Sequence, residues 1–456
     1  MPLPFASQAV ARPYFLAALV LFGLQIVFGL ILSVQYTVGD FLFPALPFNM
    51  ARMIHSNLLI YWLLFGFMGS AYYIIPEESR RELHSVPLAM TLFWLLLAVC
   101  GLNILGYLLF TYSELASLTG NAWLPTMGRE FLEQPTPFKI ALVLVILGFL
   151  ANITLTAWRG RRTAINALMI LGLIGLMIFF LFAFYNPDNL VLDKFFWWWI
   201  FHLWVEGVWE LIIAAMLAFM ILKLTGLPRS TVNTWIYWIM TSTFVTGLIG
   251  TGHHYYWIGT PESWLWWGSI FSSLEPMPFF VMMIMAFNMR RRRVIDHENS
   301  MAMTWILGAT VIAFIGTGVL GFLPTLAPIN YYTHGSQMTP AHGHMAFYGA
   351  YAMFVLAMIS YALPILTTGK PTFGKRSQTM ERRGYLLMNA GIVILTVVLT
   401  AAGLVQIYLQ RMGDDPQPFM EVQETLAPFY WIRLGAGILF AIGMVFYFNS
   451  YRNRPD

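Results

Sequence analysis

The sequence predicts an all-α, polytopic membrane protein built as a bundle of twelve transmembrane helices. Of its 456 residues, 59% are hydrophobic and only 10% are charged, and its mean hydropathy is +0.68. This composition excludes a soluble domain of this length. The apolar residues also fall into runs that are each long enough to cross about 30 Å of hydrocarbon as a helix.

Twelve such runs follow one another, separated by loops that contain proline. Their approximate bounds are 14–37, 51–75, 87–110, 138–158, 164–185, 195–223, 232–258, 264–289, 302–323, 340–366, 385–410 and 427–450. The first run lacks a small-residue cleavage site, so we expect a retained helix and not a signal peptide. We find no linker or internal repeat, and we expect one integral-membrane domain over residues 1–456.

Positive charge collects on one side of this predicted bundle. The loops after even-numbered runs and the two termini hold 19 of the 25 Lys and Arg residues. They are Arg12, Arg80, Arg81, Arg159, Arg161, Arg162, Lys223, Arg229, Arg290, Arg291, Arg292, Arg293, Lys370, Lys375, Arg376, Arg382, Arg383, Arg452 and Arg454. By the positive-inside rule this side faces the cytoplasm, so both termini are predicted to be cytoplasmic. The net charge of +4 therefore reflects topology and gives no indication of nucleic-acid binding.

The only cysteine, Cys100, lies inside an apolar run. One cysteine excludes a disulfide framework, a thiolate metal site and a covalently attached c-type haem, which needs a Cys-x-x-Cys-His motif. Any haem must therefore be bound non-covalently.

Ionisable residues interrupt the sixth run. His202, Glu206 and Glu210 are spaced by four residues, so on a regular α-helix their side chains share one sector of the surface. Ionisable groups at membrane depth usually face the bundle interior and mark a site. The alternative is a polar cluster that only packs helices together.

Six of the nine histidines are predicted to share one depth, about 4 to 14 Å below the outer face. They are His55, His202, His253, His254, His342 and His344. For the last two we expect a helix that begins with Thr339 as its N-cap and Pro340 as its first residue. His84, His297 and His334 fall in loops and are predicted to be surface residues.

The spacing of these histidines indicates two kinds of site. His342 and His344 are two residues apart and point to opposite sides of their helix, so one helix can serve two haems. An iron with two axial histidines transfers electrons, whereas an iron with one keeps a position open for substrate. We expect His55 to supply the second axial ligand of one site.

His202, His253 and His254 remain as a set of three imidazoles, with Glu206 one turn from His202. Three imidazoles suit copper, zinc or iron. A nearby carboxylate favours a harder ion, so we prefer non-haem iron to copper.

Four stretches of the sequence carry a family resemblance. They are HLWVEGVWE (202–210), GTGHHYYWIG (250–259), NYYTHGSQMTPAHGHMAFYGAYAM (330–353) and ARMIHSNLLIYWLLFGFMGSAYYIIPEE (51–78). They resemble the catalytic subunit of bacterial cytochrome c-dependent nitric oxide reductases, a branch of the haem-copper oxidase superfamily. The resemblance extends over essentially the whole chain.

The resemblance implies a set of cofactors and ligands. It implies a low-spin haem b between His55 and His344, a high-spin haem b3 on His342, and a non-haem iron on His202, His253, His254 and Glu206. It also implies that Glu210 and Glu275 lie near this binuclear centre and that Glu130 binds a Ca²⁺ ion bridging the haem propionates. Oxygen-reducing relatives have a tyrosine at the position of Glu206 and bind copper.

On this resemblance we expect an oxidoreductase that converts two NO to N2O and water with two electrons and two protons. Because the chain has no c-haem motif, we expect a small membrane-anchored cytochrome c subunit as partner, supplied by a soluble cytochrome c or a cupredoxin. We expect the bacterial inner membrane, with the active site towards the periplasm. One alternative is an oxygen-reducing terminal oxidase, and another is a proton-coupled secondary transporter without haem.

Overall fold

The computed structural model describes residues 3–109, 115, 118 and 129–452, and every regular element in this part of the chain is helical. The predicted all-α membrane fold is confirmed. Arg454, which was counted with the cytoplasmic charges, lies outside the described residues.

Twelve long helices account for most of the described fold, and we number them α1 to α12. Their bounds are α1 Ala6–Thr37, α2 Phe48–Ser79, α3 Val86–Leu108, α4 Thr136–Trp158, α5 Ala164–Phe184, α6 Leu190–Thr225, α7 Arg229–Gly250, α8 Ser263–Arg291, α9 Ser300–Thr325, α10 Met338–Thr368, α11 Lys375–Met412 and α12 Phe419–Arg452. The short helix Ala327–Thr333 lies between α9 and α10.

Among the described residues, eleven of these helices are long and apolar enough to cross a membrane. The remaining one, α7, carries Asn233, Thr241, Ser242 and Thr243, and these polar side chains lower its hydropathy. It overlaps the seventh predicted run, 232–258, so the predicted helices and the observed ones correspond in order along the chain.

Side-chain caps explain several helix starts. The Ser85 hydroxyl accepts a hydrogen bond from the Leu88 backbone N–H at 3.2 Å, and the Thr163 hydroxyl accepts one from Asn166 N–H at 3.2 Å. The Asn299 carbonyl oxygen accepts from Ala302 N–H at 2.9 Å. Each cap satisfies a backbone donor that the helix itself leaves unpaired.

The chain divides into two compact units, and the first comprises Met1–Leu32, Asp40–Met216 and Ile365–Gly369. Aromatic rings fill its core: Tyr14 packs against Tyr72 at 5.3 Å and against Phe93 at 5.1 Å between ring centroids. Buried Asn152 accepts from Ser85 N–H at 2.9 Å and donates to Ser85 C=O at 2.8 Å, which satisfies backbone groups at the start of α3.

The second unit comprises Ser33–Gly39, Leu217–Pro364 and Lys370–Asp456. Its two long helices, α11 and α12, approach to backbone contact. A Cβ atom added to Gly384 would lie 2.8 Å from the Gly443 carbonyl oxygen, and one added to Gly391 would lie 2.8 Å from that of Ala436. Small residues allow this close packing, as is usual between membrane helices.

The prediction of a single domain over 1–456 is not decided by the division into units and stays a prediction.

Four helices in the described part of the chain contain a π-helical turn. These turns are Trp204–Val208 in α6, Phe314–Val319 in α9, Tyr348–Ala352 in α10 and Tyr408–Met412 in α11. A π-turn inserts one residue into the helical repeat and often occurs beside a functional site. The first lies inside the His202–Glu210 motif, and the third begins four residues after His344.

Candidate metal centre

His202 and Glu206 meet across the π-turn of α6. His202 belongs to the α-helical segment Leu190–Leu203, and Glu206 lies in the turn itself, where Trp209 N–H donates to Trp204 C=O. His202 Nδ1 lies 3.6 Å from Glu206 Oε2. The sequence prediction that these two side chains share one face is confirmed, although the regular α-helical spacing it assumed does not hold here.

Helix α5 holds this π-turn in place. The Trp204 indole N–H donates to the Leu176 carbonyl at 2.9 Å, and the Trp204 ring stacks on Phe180 at 5.3 Å. A Cβ atom on Gly172 would lie 3.0 Å from the Val208 carbonyl oxygen, so the missing side chain lets α5 approach the turn. The irregular backbone is therefore fixed by its neighbour.

His253 and His254 lie beyond the end of α7, which corrects the sequence prediction. The predicted helix extended to 258, but the α-helix ends at Gly250 and both histidines lie in the 3₁₀ segment Thr251–Tyr255. Glycines at 250 and 252 favour this early end, because glycine is a poor helix former. The two imidazole rings are adjacent, with centroids 4.0 Å apart.

Helix α8 supports the His253 ring. His253 Nδ1 lies 2.8 Å from the Gly250 carbonyl oxygen and 2.8 Å from the Ser272 hydroxyl, and Glu275 Oε1 lies 3.5 Å from the same nitrogen. A Cβ atom on Gly268 would lie 2.7 Å from His253 N, so a larger residue at 268 would displace this segment. The structure thus places the predicted Glu275 beside one of the predicted metal ligands.

Glu210 is almost completely buried, with 2% of its surface exposed. It lies in the first turn of the α-helical segment Trp209–Thr225, directly after the π-turn. The neighbouring Trp209 ring is also buried and packs edge-on against Phe67 at 5.4 Å. A carboxyl group in such apolar surroundings is a functional-site candidate.

His342 and His344 lie in the first two turns of α10. This helix begins at Met338 with Gln337 as its N-cap, two residues before the predicted start at Pro340, so the expected Thr339 cap is wrong. The Ser336 hydroxyl accepts from Met338 N–H at 3.3 Å, which supports the earlier start.

The two α10 histidines bind different carbonyl groups. His342 Nδ1 lies 2.9 Å from the Gly316 carbonyl oxygen of α9, and His344 Nδ1 lies 2.7 Å from that of Pro340. A Cβ atom on Gly321 would lie 3.0 Å from His342 Cε1, so this glycine makes room for the ring. The two rings therefore have separate supports.

His55 lies in α2 and is supported in the same way from α1. Its Nδ1 lies 2.9 Å from the Gln25 carbonyl oxygen, and the Gln25 side chain accepts from the Trp62 indole at 2.8 Å. A Cβ atom on Gly29 would lie 2.9 Å from His55 Cε1. The imidazole fits against α1 only because residue 29 has no side chain.

One chemical feature unites His55, His253, His342 and His344. In each ring Nδ1 faces a carbonyl oxygen. A carbonyl only accepts, so Nδ1 carries the proton and the Nε2 lone pair is directed away from this bond. Metal-binding histidines show this arrangement, because the outer hydrogen bond fixes the tautomer and ring orientation. Sequence reasoning missed the four carbonyl partners, since main-chain acceptors leave no residue-type signal.

Glu130 and Glu133 lie in the segment before α4. Glu130 Oε1 pairs with Arg52 at 2.5 Å, and its backbone carbonyl accepts from the Trp197 indole at 3.0 Å. Glu133 is buried, accepts from the Asn57 amide at 2.9 Å, and burial raises its pKa to about 7. Arg52 and Asn57 flank His55 in α2, so both carboxylates are tied to the helix that carries this histidine.

The three histidines predicted to be surface residues lie outside the twelve helices. His84 and His334 are exposed, and His297 is half-buried against the Tyr361 ring at 5.7 Å. The prediction is confirmed for the first two. His297 is partly covered because its loop folds back onto α10.

The family model for cytochrome c and quinol oxidase polypeptide I matches residues 9–439. The chain belongs to this family. It is an integral membrane protein of the haem-copper oxidase superfamily, as its apolar helices and fold indicate.

Two curated relatives refine this assignment. A nitric oxide reductase subunit of Stutzerimonas stutzeri is 58% identical over 99% of this chain and 96% of its own length. A cytochrome c oxidase subunit 1 homolog of Agrobacterium tumefaciens (strain T37) is 22% identical over 91% of this chain and 77% of its own length. Within the haem-copper oxidase family, the chain is therefore much more similar to a nitric oxide reductase subunit than to this oxidase homolog.

A solved haem-copper terminal oxidase dimer has the same fold. Its TM-score with this chain is 0.67 at 15% identity, with 99% of this chain and 86% of the other covered. This likeness supports the helical architecture and says nothing further about the reaction.

Proposed function

We propose that this chain is the catalytic subunit of a nitric oxide reductase and converts 2 NO, 2 electrons and 2 protons into N2O and H2O. The observation that carries the proposal is the contact of His202 Nδ1 with Glu206 Oε2 at 3.6 Å. The resemblance described above places a tyrosine at this position in oxygen-reducing relatives. The 58% identity to a nitric oxide reductase subunit supports the same choice.

We propose that His202, Glu206, His253 and His254 bind a non-haem iron. The family resemblance assigns these four side chains to one ion. Nitrogen and carboxylate ligands suit iron, and a carboxylate makes the set harder than three imidazoles alone. When bound, the iron would accept and release electrons and attract the oxygen of the substrate. The Glu206 carboxylate would neutralise part of its charge.

We propose His55 and His344 as axial ligands of a low-spin haem b, and His342 as the single protein ligand of a high-spin haem b3. The residues fit these roles because each Nδ1 is held by a carbonyl, which leaves Nε2 for iron. Gly29 and Gly321 provide room for the His55 and His342 rings. His342 would thus hold the haem that reacts with substrate, and His55 and His344 would hold the haem that transfers electrons.

Protons for the reaction would come from buried carboxyl groups. We propose that Glu210 and Glu275 hold and transfer protons at their carboxyl oxygens, since both are more than nine-tenths buried. Glu275 lies 3.5 Å from His253 Nδ1 and also orients that ring. We propose uptake from the periplasmic side, because the predicted histidine layer lies closer to the outer face than to the basic cytoplasmic face.

The surrounding assembly follows from the same proposal. A chain with one cysteine cannot bind a c-type haem covalently, so we propose a membrane-anchored cytochrome c subunit as electron donor. We place the complex in the bacterial inner membrane with both termini in the cytoplasm. We also propose that the Glu130 carboxylate, which pairs with Arg52 in this structure, would supply one oxygen ligand to a Ca²⁺ ion, with haem carboxylates supplying others.

Anaerobic turnover of the purified complex tests the proposed reaction. With a reduced cytochrome c donor, we expect one N2O for every two NO consumed, measured by an NO electrode and gas chromatography. Glu206→Gln should abolish most of this activity, whereas the matched change Glu262→Gln, at an exposed outer-loop carboxylate, should not. If the complex forms no N2O but consumes oxygen rapidly in a separate aerobic assay with the same donor, the result would instead support a terminal oxidase.

A further inference from the structure

Arg433 is a buried cation near the middle of α12. It lies 14 residues after the helix start at Phe419 and 19 before its end at Arg452, about 21 and 28 Å from the two ends. Only 7% of its surface is exposed. Burying an arginine is costly, and a buried arginine normally has an identifiable partner. Neither the motifs of the sequence nor the proposed reaction uses this residue.

The contacts of Arg433 leave part of its guanidinium unsatisfied. Its Cζ atom lies 4.5 Å from the centroid of the Tyr36 ring, a cation–π contact with one face of the group. The in-plane donors Nε and Nη1 have no hydrogen-bond partner. Arg433 also forms no ion pair in the part of the chain that the structure describes. Because a guanidinium cannot lose its charge in a protein, these donors require an acceptor.

A third donor lies on the same side of α12. Tyr430, one turn before Arg433, packs its ring 5.0 Å from Tyr36 and donates its hydroxyl to Gln423 Oε1 at 2.6 Å. This bond fixes the orientation of the Gln423 amide, with Oε1 towards Tyr430 and Nε2 directed away from it. Gln423 Nε2 is buried and has no hydrogen-bond partner. We refer to Arg433, Tyr36, Tyr430 and Gln423 as the Arg433 cluster. It combines one fixed positive charge with three unpaired N–H donor groups.

The Arg433 cluster is connected to the start of α10. The Tyr430 hydroxyl accepts from Gln337 Nε2 at 3.2 Å, and Gln337 is the N-cap of the helix that carries His342 and His344. One turn after Arg433, Ala436 packs in one buried cluster with Ala341, the residue before His342. The same face of α12 that carries Arg433 therefore packs against the histidine-bearing turns.

We propose that the Arg433 cluster binds one anionic group, either a carboxylate of the low-spin haem or a small inorganic anion such as chloride. Both are negatively charged, and both can accept hydrogen bonds from Arg433 Nε, Arg433 Nη1 and the Gln423 amide. Binding of a haem carboxylate rests on the proposed function, whereas binding of an inorganic anion does not. In the first case Arg433 is a positioning residue that also favours the reduced haem, because a fixed positive charge stabilises the added electron.

The experiment compares three variants of the purified holo-complex. Arg433→Met removes the charge and keeps much of the side-chain length, and Arg433→Lys keeps the charge but loses the planar fork. Arg383→Met, at an exposed position of α11, is the matched control. For each we would measure haem content, the midpoint potential of the low-spin haem by optical titration, and the thermal midpoint of unfolding. All measurements are made in sodium chloride and in sodium gluconate.

The two sources predict different results. If a haem carboxylate is bound, Arg433→Met lowers the low-spin midpoint potential equally in both salts, Arg433→Lys lowers it less, and Arg383→Met leaves it unchanged. If chloride is bound, replacing chloride by gluconate shifts the wild-type thermal midpoint, and Arg433→Met abolishes this dependence.

The proposal is overturned if Arg433→Met matches Arg383→Met in potential and in thermal midpoint in both salts. If the complex with Arg433→Met does not assemble, Arg433→Lys and the salt dependence of the wild type are compared instead. The proposal is then overturned if Arg433→Lys leaves the low-spin midpoint potential unchanged and the wild-type thermal midpoint is the same in both salts. A wild-type complex without low-spin haem would contradict the proposed function, while the salt dependence of stability would still decide whether the cluster binds an anion.

Discussion

The Nδ1 atom of His342 lies 2.9 Å from the carbonyl oxygen of Gly316, a residue in the π-turn of α9. This hydrogen bond fixes the ring tautomer and leaves Nε2 as the nitrogen that can bind iron. His55, 287 positions earlier in the chain, has the same arrangement with Gln25. The proposed haem ligands are therefore held by main-chain acceptors. Substitution of the glycines that make room for the rings tests this support.

Gly29→Ala tests this support for His55. The new Cβ atom would meet His55 Cε1 at 2.9 Å, so the ring must move and its Nε2 lose alignment with the iron. We expect about tenfold weaker retention of the low-spin haem, measured by pyridine haemochrome analysis and optical spectroscopy. Gly101→Ala, whose Cβ would meet nothing within 4 Å, is the matched control and should keep normal haem content. Equal spectra for the two variants would contradict the account.

The different roles proposed for the haem histidines predict that each substitution removes the signal of one haem and not of the other. His55→Ala and His344→Ala should remove the low-spin bis-histidine signal and keep most of the high-spin signal, and His342→Ala should do the reverse. Electron paramagnetic resonance separates the two signals, and circular dichroism verifies that each variant is folded. Loss of the same haem in all three folded variants would show that the assignment is wrong.

Glu206 and Glu210 should have different roles although they are four residues apart. Glu206 lies 3.6 Å from His202 Nδ1 and is proposed as an iron ligand, so Glu206→Gln should lower non-haem iron content as well as activity. Glu210 lies beyond the π-turn, so Glu210→Gln should retain all iron and slow the proton-coupled steps by about 10²-fold or more. Metal analysis and single-turnover kinetics separate these outcomes. Loss of iron in Glu210→Gln alone would reverse the assignment.

Burial of Glu133 predicts a dependence of stability on pH. Its pKa is raised from 4.5 to about 7, so between these values the folded protein holds a proton that the unfolded chain has released. The free energy of unfolding should therefore fall as pH rises through this window, by about 3 kcal/mol at most, and then level off. Glu133→Gln should remove this slope in thermal unfolding measured from pH 5 to 8. Glu424→Gln, at an exposed carboxylate, should preserve it.

The sequence predicted the helices well because bilayer thickness sets a length that apolar runs must match. Their order agrees with the structure, and α7 was recognised although its threonines and serines lower its hydropathy. Helix ends were less predictable. The α-helix ends at Gly250 and not at 258, and α10 begins at Met338 and not at Pro340, because local hydrogen bonds and glycine propensity decide these positions.

The residue types of the candidate site were also predictable, since ionisable side chains are conspicuous in an apolar sequence. The support around them was not. The π-turn at Trp204–Val208 depends on packing against Gly172 and Leu176 of α5, a tertiary contact that no local pattern encodes. The carbonyl partners of the histidines and the unsatisfied donors of Arg433 likewise appear only when distant segments are brought together.

Metal content per chain distinguishes a non-haem iron site from a copper site. In the purified complex, iron and copper are counted by inductively coupled plasma mass spectrometry, haem b is counted optically, and the iron of the c-type haem subunit is subtracted. We expect two haem irons and one non-haem iron in this chain, with no stoichiometric copper. One copper per chain, with iron present only in haem, would contradict the iron site at His202, Glu206, His253 and His254 and would favour an oxygen-reducing oxidase.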